Sequence, residues 1–531
     1  MDAPYPPARQ ASSKHAAAQL RSPSRTSNPA TVPQHATSLY RDGAPNDAGA
    51  LRSVLKRLAT ASSAPRGQAA PVLHAHAVKL GLDRRHRGVR DALVALYLAC
   101  GRQRAASALF ACHPLPDVVS WTGMVTGHTR LGLFSEAAAL FLAMADDGAV
   151  VVDAVAAAAA FTACAGAGDI ALAREVHRRV LVAGVALDVV ACNALVDMYA
   201  KCGDVAAALR CFRTMEPHKN VVTWNTMISA HARAGEPRQA LALFREMLEQ
   251  QRARPDDATF VAVLGACARL GALDAGRWVH AYVGRTRAGR NADGLVGNAL
   301  LDMYAKCGAV EQAEEVFDAM ARRDVYTYTS MISGLAAHGR GEDALALFAD
   351  MQRAGVKPNK VTFLGVLSAC CHAGFIEDGL RHLHDMAEVH GVAPGIEHYG
   401  CVVDMLGRAG RLDEAEELVT AMPVRPDALI WGSLLSACRA HGHVDRAERV
   451  MRRMADEEEE IDAGDYVLMS NMYAREGRHG KAVQVRRHMR KSKADKVPGC
   501  SLIEIDGVVH EFQAVPANSA ELFGDASNLL S

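Results

Sequence analysis

Histidine and cysteine are the residues in this sequence that could support a metal-dependent reaction. The 531-residue chain contains 22 His and 13 Cys. A zinc-dependent nucleobase deaminase needs zinc ligands that include a C-x-x-C pair and a general-base Glu in an H-x-E motif. No His has Glu two positions later, no C-x-x-C occurs, and His510-Glu511 has the wrong spacing. P-loop, G-x-S-x-G and H-E-x-x-H motifs are also missing. We therefore predict no catalytic residue, no metal site, no cofactor and no enzymatic activity.

Six cysteines recur at two fixed kinds of place in the sequence. Two lie in Lys-Cys-Gly, and four directly follow alanine: Cys202 and Cys307, then Cys164, Cys267, Cys370 and Cys438. Positions that a repeat fixes favour small buried residues on helix faces over disulfides or metal ligands. We therefore expect the protein to reside in a reducing compartment.

Composition favours helices and leaves a nucleic-acid partner open. Half of the residues are hydrophobic but only 5% are aromatic, which is typical of helices with small interface residues rather than of sheets. The 59 basic and 59 acidic side chains cancel, yet a basic groove could coexist with an acidic outer face. No apolar run approaches the roughly 18–20 residues of a membrane helix. We expect no membrane partner.

Residues 1–47 differ from the rest of the chain. They are rich in Ser, Ala and Pro, poor in acid, and carry Arg9, Lys14, Arg21, Arg25 and Arg41. A basic, serine-rich and acid-poor N-terminus is typical of an organelle transit peptide. The alternative is a disordered tail without a targeting role. The arginine content favours the mitochondrion over the chloroplast.

Three phrases recur in a fixed order and define a repeat. The phrase from Asn193 to Gly203 returns almost letter for letter from Asn298 to Gly308, and Val221-Val222-Thr223-Trp224 echoes Val118-Val119-Ser120-Trp121. Thr259-Phe260 with Cys267 returns as Thr362-Phe363 with Cys370. Such self-similarity indicates stacked repeats. The predicted units are 48–86, 87–117, 118–153, 154–188, 189–220, 221–256, 257–293, 294–324, 325–359, 360–395 and 396–427.

Each unit is predicted to be a pair of helices. In 221–256, apolar residues at helical spacing form one face of a first helix, at Trp224, Met227, Ile228 and His231. Gly235 can end that helix in the left-handed conformation, and Pro255 prevents continuation of the second. The second helix has its own face, at Ala240, Phe244, Met247 and Leu248. One pair cannot bury both helices, so neighbouring pairs must stack into a superhelix of either hand.

The order of these phrases resembles the PLS subfamily of plant pentatricopeptide-repeat proteins. Residues 428–461 and 462–495 resemble the two extension motifs of its E class, and Val497-Pro498-Gly499-Cys500-Ser501 resembles the start of a further extension segment, so 496–531 is assigned to that segment and a tail. The alternation from Ser501 to Phe512 predicts a small β-hairpin, for docking or for capping. The resemblance implies an all-α fold, a right-handed α-solenoid superhelix of stacked helical hairpins, without the DYW deaminase domain of longer members.

The resemblance also implies that one repeat reads one RNA base, through the fifth residue of its first helix and the last residue of the unit. The implied preferences are guanine for Thr122 with Asp153, a pyrimidine for Asn193 with Asn220, uracil for Asn225 with Asp256 and for Asn298 with Asp324, and adenine for Thr329 with Asn359. Asp91 with Asp117 and Gly400 with Asp427 depart from the readable pairs. Ala158, Val261 and Leu364 have no polar group, which makes their units nearly silent.

Second-position residues of the units are expected to sandwich the bases, at Val119, Val190, Val222, Leu295 and Tyr326. The alternative for the polar residues is a purely structural one. Thr122, Asn193, Asn225 and Asn298 lie near helix starts, where such residues are favoured as caps. The terminal Asp residues are also good turn formers. Pairing of a polar fifth residue with Asp or Asn at the unit end, in five units, favours base reading.

The resemblance implies single-stranded organelle RNA as the partner. The expected role is selection of a cytidine for C-to-U editing by a DYW-type deaminase that is recruited in trans, with editing accessory proteins, through 428–515. The competing functions are intron splicing, transcript stability or translation, and a protein–protein scaffold. The implied target runs 5′ to 3′ as G, any base, pyrimidine, U, any base, U, A, two undetermined bases, three unread bases and the C.

Overall fold

The computed structural model describes residues 47–60, 66–112, 115–148, 150–215, 219–286, 294–456, 461–491, 500–505 and 508–513. This part of the chain contains 27 helices and one two-stranded sheet. The predicted leader lies outside the described residues, except for Asp47. Of the acidic run 456–460, only Asp456 is described, as the last residue of a helix.

The chain divides into two compact units, Met1–Leu140 and Phe141–Ser531. The helices of the first unit lie around one apolar core that includes Leu51, Leu93 and Leu96. They are α1 (Ala48–Thr60), α2 (Arg66–Lys79), α3 (Leu82–Arg85), α4 (Arg87–Ala99), α5 (Gln103–Ala111), α6 (Val118–Arg130) and the first half of α7 (Phe134–Asp146).

The second unit continues the same pattern of helices to the C-terminal sheet. Its helices are α8 (Ala154–Ala167), α9 (Ile170–Val182), α10 (Val189–Lys201), α11 (Val205–Thr214), α12 (Val221–Arg233), α13 (Pro237–Gln250), α14 (Asp257–Leu270), α15 (Leu273–Thr286), α16 (Leu295–Lys306), α17 (Val310–Ala319), α18 (Val325–Ala337), α19 (Gly341–Arg353), α20 (Lys360–Ala373), α21 (Ile376–Glu388), α22 (Ile396–Arg408), α23 (Leu412–Ala421), α24 (Ala428–Ala440), α25 (Val444–Asp456), α26 (Ala463–Arg475) and α27 (His479–Lys491).

The helices come in pairs, and the fold is an all-α solenoid as predicted. Every predicted repeat contains one pair, 48–86 contains the short α3 in addition, and the two extension motifs contribute α24 with α25 and α26 with α27. The turn inside a pair needs a residue with positive φ, which glycine adopts without steric cost. Gly235 fills this role after α12 with a φ of 79°.

Unit 221–256 shows how a pair buries its apolar faces. Trp224, Met227, Ile228 and His231 are all buried, as the helical spacing predicted. The ring of Trp224 packs edge-on against Phe212 of the preceding pair, with centroids 4.9 Å apart. In the second helix Leu243 is buried, whereas the predicted Leu248 is only half-buried. Stacking against the neighbouring pair therefore completes the core.

The cysteine prediction is confirmed for one of the two recurring places. Cys164, Cys267, Cys370 and Cys438 are buried, and burial raises the pKa of the Cys164 thiol to about 12. Cys202 and Cys307 of the Lys-Cys-Gly phrases are only half-buried, so for them the prediction of full burial was wrong. Each lies at a helix end, where its thiol faces the backbone carbonyl of Cys164 or Cys267. The twelve cysteines from Cys100 to Cys438 are all free thiols.

A histidine–tyrosine hydrogen bond joins three pairs of neighbouring repeats. His280 on α15 bonds to the hydroxyl of Tyr304 on α16 at 2.9 Å, and His74–Tyr97 and His177–Tyr199 do the same at 2.9 and 2.8 Å. The equivalent positions in α21 and α22 hold Leu383 and Leu406, which are both buried in one core cluster. One sequence thus uses a polar pair or an apolar pair at the same junction.

Replacing His280 by leucine should destabilise the protein by about 1–3 kcal/mol, because the Tyr304 hydroxyl loses its partner while it stays buried. The double variant His280→Leu/Tyr304→Leu should recover most of that loss, since the chain itself packs Leu383 and Leu406 at this junction. Urea unfolding of both single variants and the double variant measures the coupling. A double variant less stable than either single variant would contradict the exchange of polar for apolar pairs.

The predicted C-terminal hairpin is present and lies against a distant repeat. Strands β1 (Cys500–Ile505) and β2 (Val508–Gln513) pair antiparallel, with Ile505 opposite Val508. The Glu504 carboxylate accepts a hydrogen bond of 2.7 Å from the Leu273 amide at the start of α15. A carboxylate stabilises a helix N-terminus, and α15 begins after Ala272, which has no capping side chain. The hairpin therefore supplies the missing cap from 231 residues away.

Candidate nucleic-acid interface

The two residues of each predicted reading pair occupy different positions relative to helix ends. Asn193, Asn225 and Asn298 lie inside their helices rather than at the N-caps. The unit-end residues are the N-caps of the next first helix. Their side chains accept a backbone amide of the first turn, at Asp117, Asp153, Asn220, Asp256, Asp324, Asn359 and Asp427. Capping therefore accounts for the unit-end residues and leaves the fifth residues without a capping role.

Asn225, Asp256 and Thr259 form one hydrogen-bonded cluster. The Asn225 side-chain amide donates to the Asp256 carboxylate at 2.8 Å, and the Thr259 hydroxyl faces the Asn225 side-chain oxygen at 2.6 Å. The Thr259 amide donates to the same Asp256 oxygen at 3.0 Å. These contacts orient the half-buried Asn225 amide. The cluster joins one repeat to the next.

The same cluster recurs in two other repeats. Asn193 approaches Asn220 at 3.4 Å, and the Thr223 hydroxyl donates to Asn193 at 2.6 Å. Asn298 approaches Asp324 at 3.4 Å, and the Thr327 hydroxyl donates to Asn298 at 2.8 Å. Three of the predicted pairs are therefore held side by side, with their remaining polar atoms at the surface.

The Asp256 carboxylate is held in its ionised form. Burial alone would raise its pKa, but hydrogen bonds from the Thr259 amide, the Asn225 side chain and the Thr259 hydroxyl outweigh burial, so the pKa is lowered. The pKa of Asp324 is lowered in the same way, by Thr327 and Asn298. An ionised carboxylate can only accept hydrogen bonds, whereas the Asn220 amide can also donate. Asp and Asn at the unit end therefore present different hydrogen-bonding patterns.

The other predicted pairs are arranged differently. The Ser120 hydroxyl bridges Asp91 and Asp117, at 2.8 and 3.0 Å. Thr329 is buried, and its hydroxyl is hydrogen-bonded to the Thr362 hydroxyl at 2.7 Å. The cap Asn359 contacts the Thr362 hydroxyl and not Thr329. The remaining residues make no side-chain pair: the Thr122 hydroxyl is buried without a partner, Asp153 caps α8, Gly400 has no side chain, and Asp427 caps α24.

The predicted sandwiching residues are exposed apolar side chains. Val119, Val190, Val222, Leu295 and Tyr326 are between 55% and 74% exposed. Each of these side chains therefore faces solvent from its own first helix. Three more residues at the same position share this exposure and were missed in the sequence, namely Val155, Val361 and Leu429. The first two belong to units predicted to be nearly silent.

The third residues of the first helices are the main functional candidates that sequence reasoning missed. Ser120, Thr223, Thr259, Thr327 and Thr362 are all buried, and each hydroxyl contacts the cap residue that precedes it by three positions. Asp or Asn followed three positions later by Ser or Thr is a capping-box pattern, and this spacing was visible in the sequence. The contact of this hydroxyl with the fifth residue of the preceding repeat was not visible in the sequence.

Thr259→Val should lower stability by about 1–2 kcal/mol, because the cap Asp256 and Asn225 lose a buried partner. The freed Asn225 amide should rotate, and discrimination at the base that Asn225 faces should fall. Thr226→Val is the matched control, since the Thr226 hydroxyl bonds only to the Val222 carbonyl of its own helix. Urea unfolding and RNA titration check both effects. Equal losses in the two variants would contradict an orienting role for Thr259.

Models of known protein families match most of this repeat array. A model described as PPR repeat matches residues 119–148, 190–216, 298–325, 361–389 and 397–425, and one described as PPR repeat family matches 219–269 and 323–372. A model described as E motif matches residues 441–504. Pentatricopeptide repeat-containing protein At4g38010 of Arabidopsis thaliana is 41% identical over 418 residues, which is 78% of this chain and 73% of that protein. The chain belongs to the plant pentatricopeptide-repeat family, in its PLS subfamily and E class.

Other members of the pentatricopeptide-repeat family have similar sequences. Pentatricopeptide repeat-containing protein At2g22410, mitochondrial, of Arabidopsis thaliana is 36% identical and covers 82% of this chain and 68% of its own length. Pentatricopeptide repeat-containing protein At1g08070, chloroplastic, is 38% identical and covers 66% of this chain. The chain spans about half of that relative, 47% of its length.

Among solved structures, the chain is similar to the pentatricopeptide repeat protein PPR10 in complex with an 18-nt psaJ RNA element. The identity is 20%, the alignment covers 88% of this chain and 77% of that chain, and the TM-score is 0.39. The solenoid fold of the present protein rests on its own helix pairs, described above.

A row of basic residues runs along the first helices of this pentatricopeptide-repeat protein. The row occupies the thirteenth position of eight first helices, counted for α16 from Gly294, and lies about two turns beyond the fifth position. Residues 2, 5, 9 and 13 lie within about 80° of one another on a helix. All members are exposed: Arg130, Lys201, Arg233, Arg269, Lys306, His372, Arg408 and Arg475. The formal net charge of the whole chain is zero, so it does not reveal this row of basic residues. The row lies on the same stripe as the predicted reading residues, about 12 Å further along each helix axis.

Two other kinds of site are absent from the described part of the chain. No group of three or more His, Cys, Asp or Glu side chains is placed to hold a metal ion. No helix in this part of the chain is both long enough and apolar enough to cross a membrane.

Proposed function

We propose that this protein binds single-stranded RNA in a sequence-specific way and selects a cytidine of an organelle transcript for C-to-U editing. The observation that carries the proposal is the repeated cluster at Asn193, Asn225 and Asn298. In each cluster an oriented amide lies beside a cap residue whose remaining polar atoms face solvent. Three preorganised donor–acceptor pairs, one in each of three repeats, match the demands of reading one base per repeat.

Two surface features support RNA as the ligand. The exposed second-position row supplies apolar surfaces between which successive bases can stack, a contribution of about 1–3 kcal/mol per base for aromatic side chains and less for valine. The exposed thirteenth-position row supplies cations for the phosphate backbone. Reading residues, stacking residues and cations share one stripe of each first helix, so a single strand can meet all three. A protein–protein scaffold would need none of these pairings.

The E motif supports editing over splicing, stability or translation. The extension pairs α24–α25 and α26–α27 follow the repeats directly, and the E-motif match over 441–504 covers α25, α26 and α27. In this proposal the chain binds RNA without catalysing the reaction, and a DYW-type deaminase acts in trans together with accessory proteins. The organelle is a mitochondrion or a chloroplast, the two compartments in the names of the relatives described above.

Sequencing of organelle RNA from plants that lack this protein tests the proposal. The expected result is that one or a few cytidines stay unedited, each preceded by the G-to-A pattern given above. Complete editing with a retained intron or a lost RNA end would instead assign the protein to splicing or stability. A fluorescent fusion of residues 1–60 would identify the organelle.

A further inference from the structure

Three short repeats carry an aspartate on the stripe that faces the proposed RNA. Asp197, Asp302 and Asp404 occupy the ninth position, between the reading position and the basic row. Each carboxylate bonds to the basic residue four positions later, and the three ion pairs, Asp197–Lys201, Asp302–Lys306 and Asp404–Arg408, all measure 2.8 Å. The three aspartate side chains are 32%, 41% and 38% exposed.

Other repeats have no charge at the ninth position. It holds Ser229, Gly265 and Ser368 in units whose thirteenth residues are Arg233, Arg269 and His372. The chain therefore contains cations with and without a neighbouring carboxylate at otherwise equivalent places. The carboxylates are confined to 189–220, 294–324 and 396–427, the short units with the Asp-Met-Tyr, Asp-Met-Tyr and Asp-Met-Leu phrases.

The ion pairs contribute little to the stability of the fold. Exposed ion pairs at i and i+4 of a helix stabilise it only slightly, and salt screens them. Their effect on a bound polyanion is different. A phosphate that approaches Lys201 meets the Asp197 carboxylate about one helical turn away, about 6 Å along the axis. The carboxylate repels the phosphate and already neutralises the cation that would attract it.

We propose that Asp197, Asp302 and Asp404 weaken the attraction of the RNA backbone at the short repeats, so that binding depends more on the bases that are read. This inference rests on the proposed function, because it assumes that RNA lies along the stripe. The weakening acts on every RNA alike, since phosphate contacts carry no sequence information. Two of these repeats, 189–220 and 294–324, also carry the reading residues Asn193 and Asn298. Because the RNA backbone is bound more weakly there, contacts to the bases supply a larger share of the binding energy.

The test is the triple variant Asp197→Ser/Asp302→Ser/Asp404→Ser in the full chain. Serine is the residue that the chain itself uses at positions 229, 333 and 368. Binding is titrated against a fluorescent single-stranded RNA containing 5′-GACUAUA-3′ and against its scrambled sequence. We expect about tenfold tighter binding of both RNAs, from about twofold per exposed carboxylate. The slope of log K against log salt should become more negative by about 2, because three cations gain phosphate contacts worth roughly 0.7 each on a single strand.

A second triple variant separates a local effect from a change in net charge. Asp146→Ser/Asp318→Ser/Asp350→Ser removes three carboxylates that pair with Arg179, Arg323 and Arg353 near the ends of second helices. It should change affinity and salt slope much less than the first variant, and thermal melts should show that both variants are folded. Equal gains in the two variants, or an unchanged slope in the first, would overturn the inference while the parent chain still binds RNA. Failure of the parent chain to bind either RNA would refute the proposed function and the inference with it.

Discussion

Asp256→Asn is expected to abolish the preference for uracil over cytosine at the base read by unit 221–256. The Asp256 carboxylate is ionised, and the hydrogen bonds from Asn225 and Thr259 all go to the same one of its two oxygens. An ionised carboxylate accepts from the N3–H of uracil but meets only a lone pair at N3 of cytosine. A mismatch of this kind costs about 1–3 kcal/mol, so discrimination of about tenfold should disappear. Competition titrations with RNAs that differ at this single base measure the ratio.

Two variants in the same chain serve as controls for Asp256→Asn. Asn220→Asp should produce the opposite change, a gain of uracil preference in unit 189–220, because it creates the arrangement that Asp256 has now. Asp427→Asn should change no preference, since Asp427 caps its helix at 3.0 Å but the fifth residue before it is Gly400. Folding should be unaffected in all three variants, since Asp and Asn cap helices almost equally well. Retained discrimination in Asp256→Asn would show that this carboxylate does not face the base.

Arg233→Gln/Arg269→Gln is expected to weaken RNA binding by at least tenfold at physiological salt, whatever the RNA sequence. Both residues are exposed members of the thirteenth-position row in consecutive repeats without a ninth-position carboxylate. Loss of two phosphate contacts should make the salt slope less negative by about 1.4, at roughly 0.7 per contact on a single strand. Glutamine keeps most of the side-chain stem, so packing should change little. Filter binding at several salt concentrations gives both quantities.

The matched control for the basic row is Arg238→Gln/Arg245→Gln on α13, the second helix of unit 221–256. This change removes the same charge from a helix that carries neither the second-position row nor the reading residues. It should alter the salt slope much less. A comparable loss of slope in both double variants would indicate a diffuse electrostatic effect rather than a phosphate track along the first helices.

Much of the fold could be predicted because the repeat imposes the same local requirements again and again. Helical spacing predicted the buried face at Trp224, Met227 and Ile228, and Gly235 ends the first helix with the positive φ that only glycine adopts at low cost. The alternation after Ser501 predicted the β-hairpin. These features depend on neighbouring residues in the chain, and local spacing is visible in a sequence.

The candidate site was only partly predictable. Resemblance to a family supplied the reading pairs. Position near a helix start favoured capping for any single residue, and only the pairing in five units favoured base reading. The structure separates the two roles, since Asp256 caps α14 while Asn225 lies inside α12 and bonds to that cap. The Thr259 hydroxyl that orients Asn225 comes 34 residues later in the chain. No local pattern relates two residues at such a separation.

The sequence by itself therefore determined the repeat, the helix pairs, the faces that are buried and the residue types at each position. Only the tertiary structure decided which of those positions meet across repeats. Stacking places the cap of one helix beside the fifth residue of the preceding one, and it aligns the second, ninth and thirteenth positions into rows. It also brings Glu504 to the start of α15. The physical reason is that periodicity sets the orientation of a side chain around its own helix, whereas its contacts depend on how neighbouring helices pack.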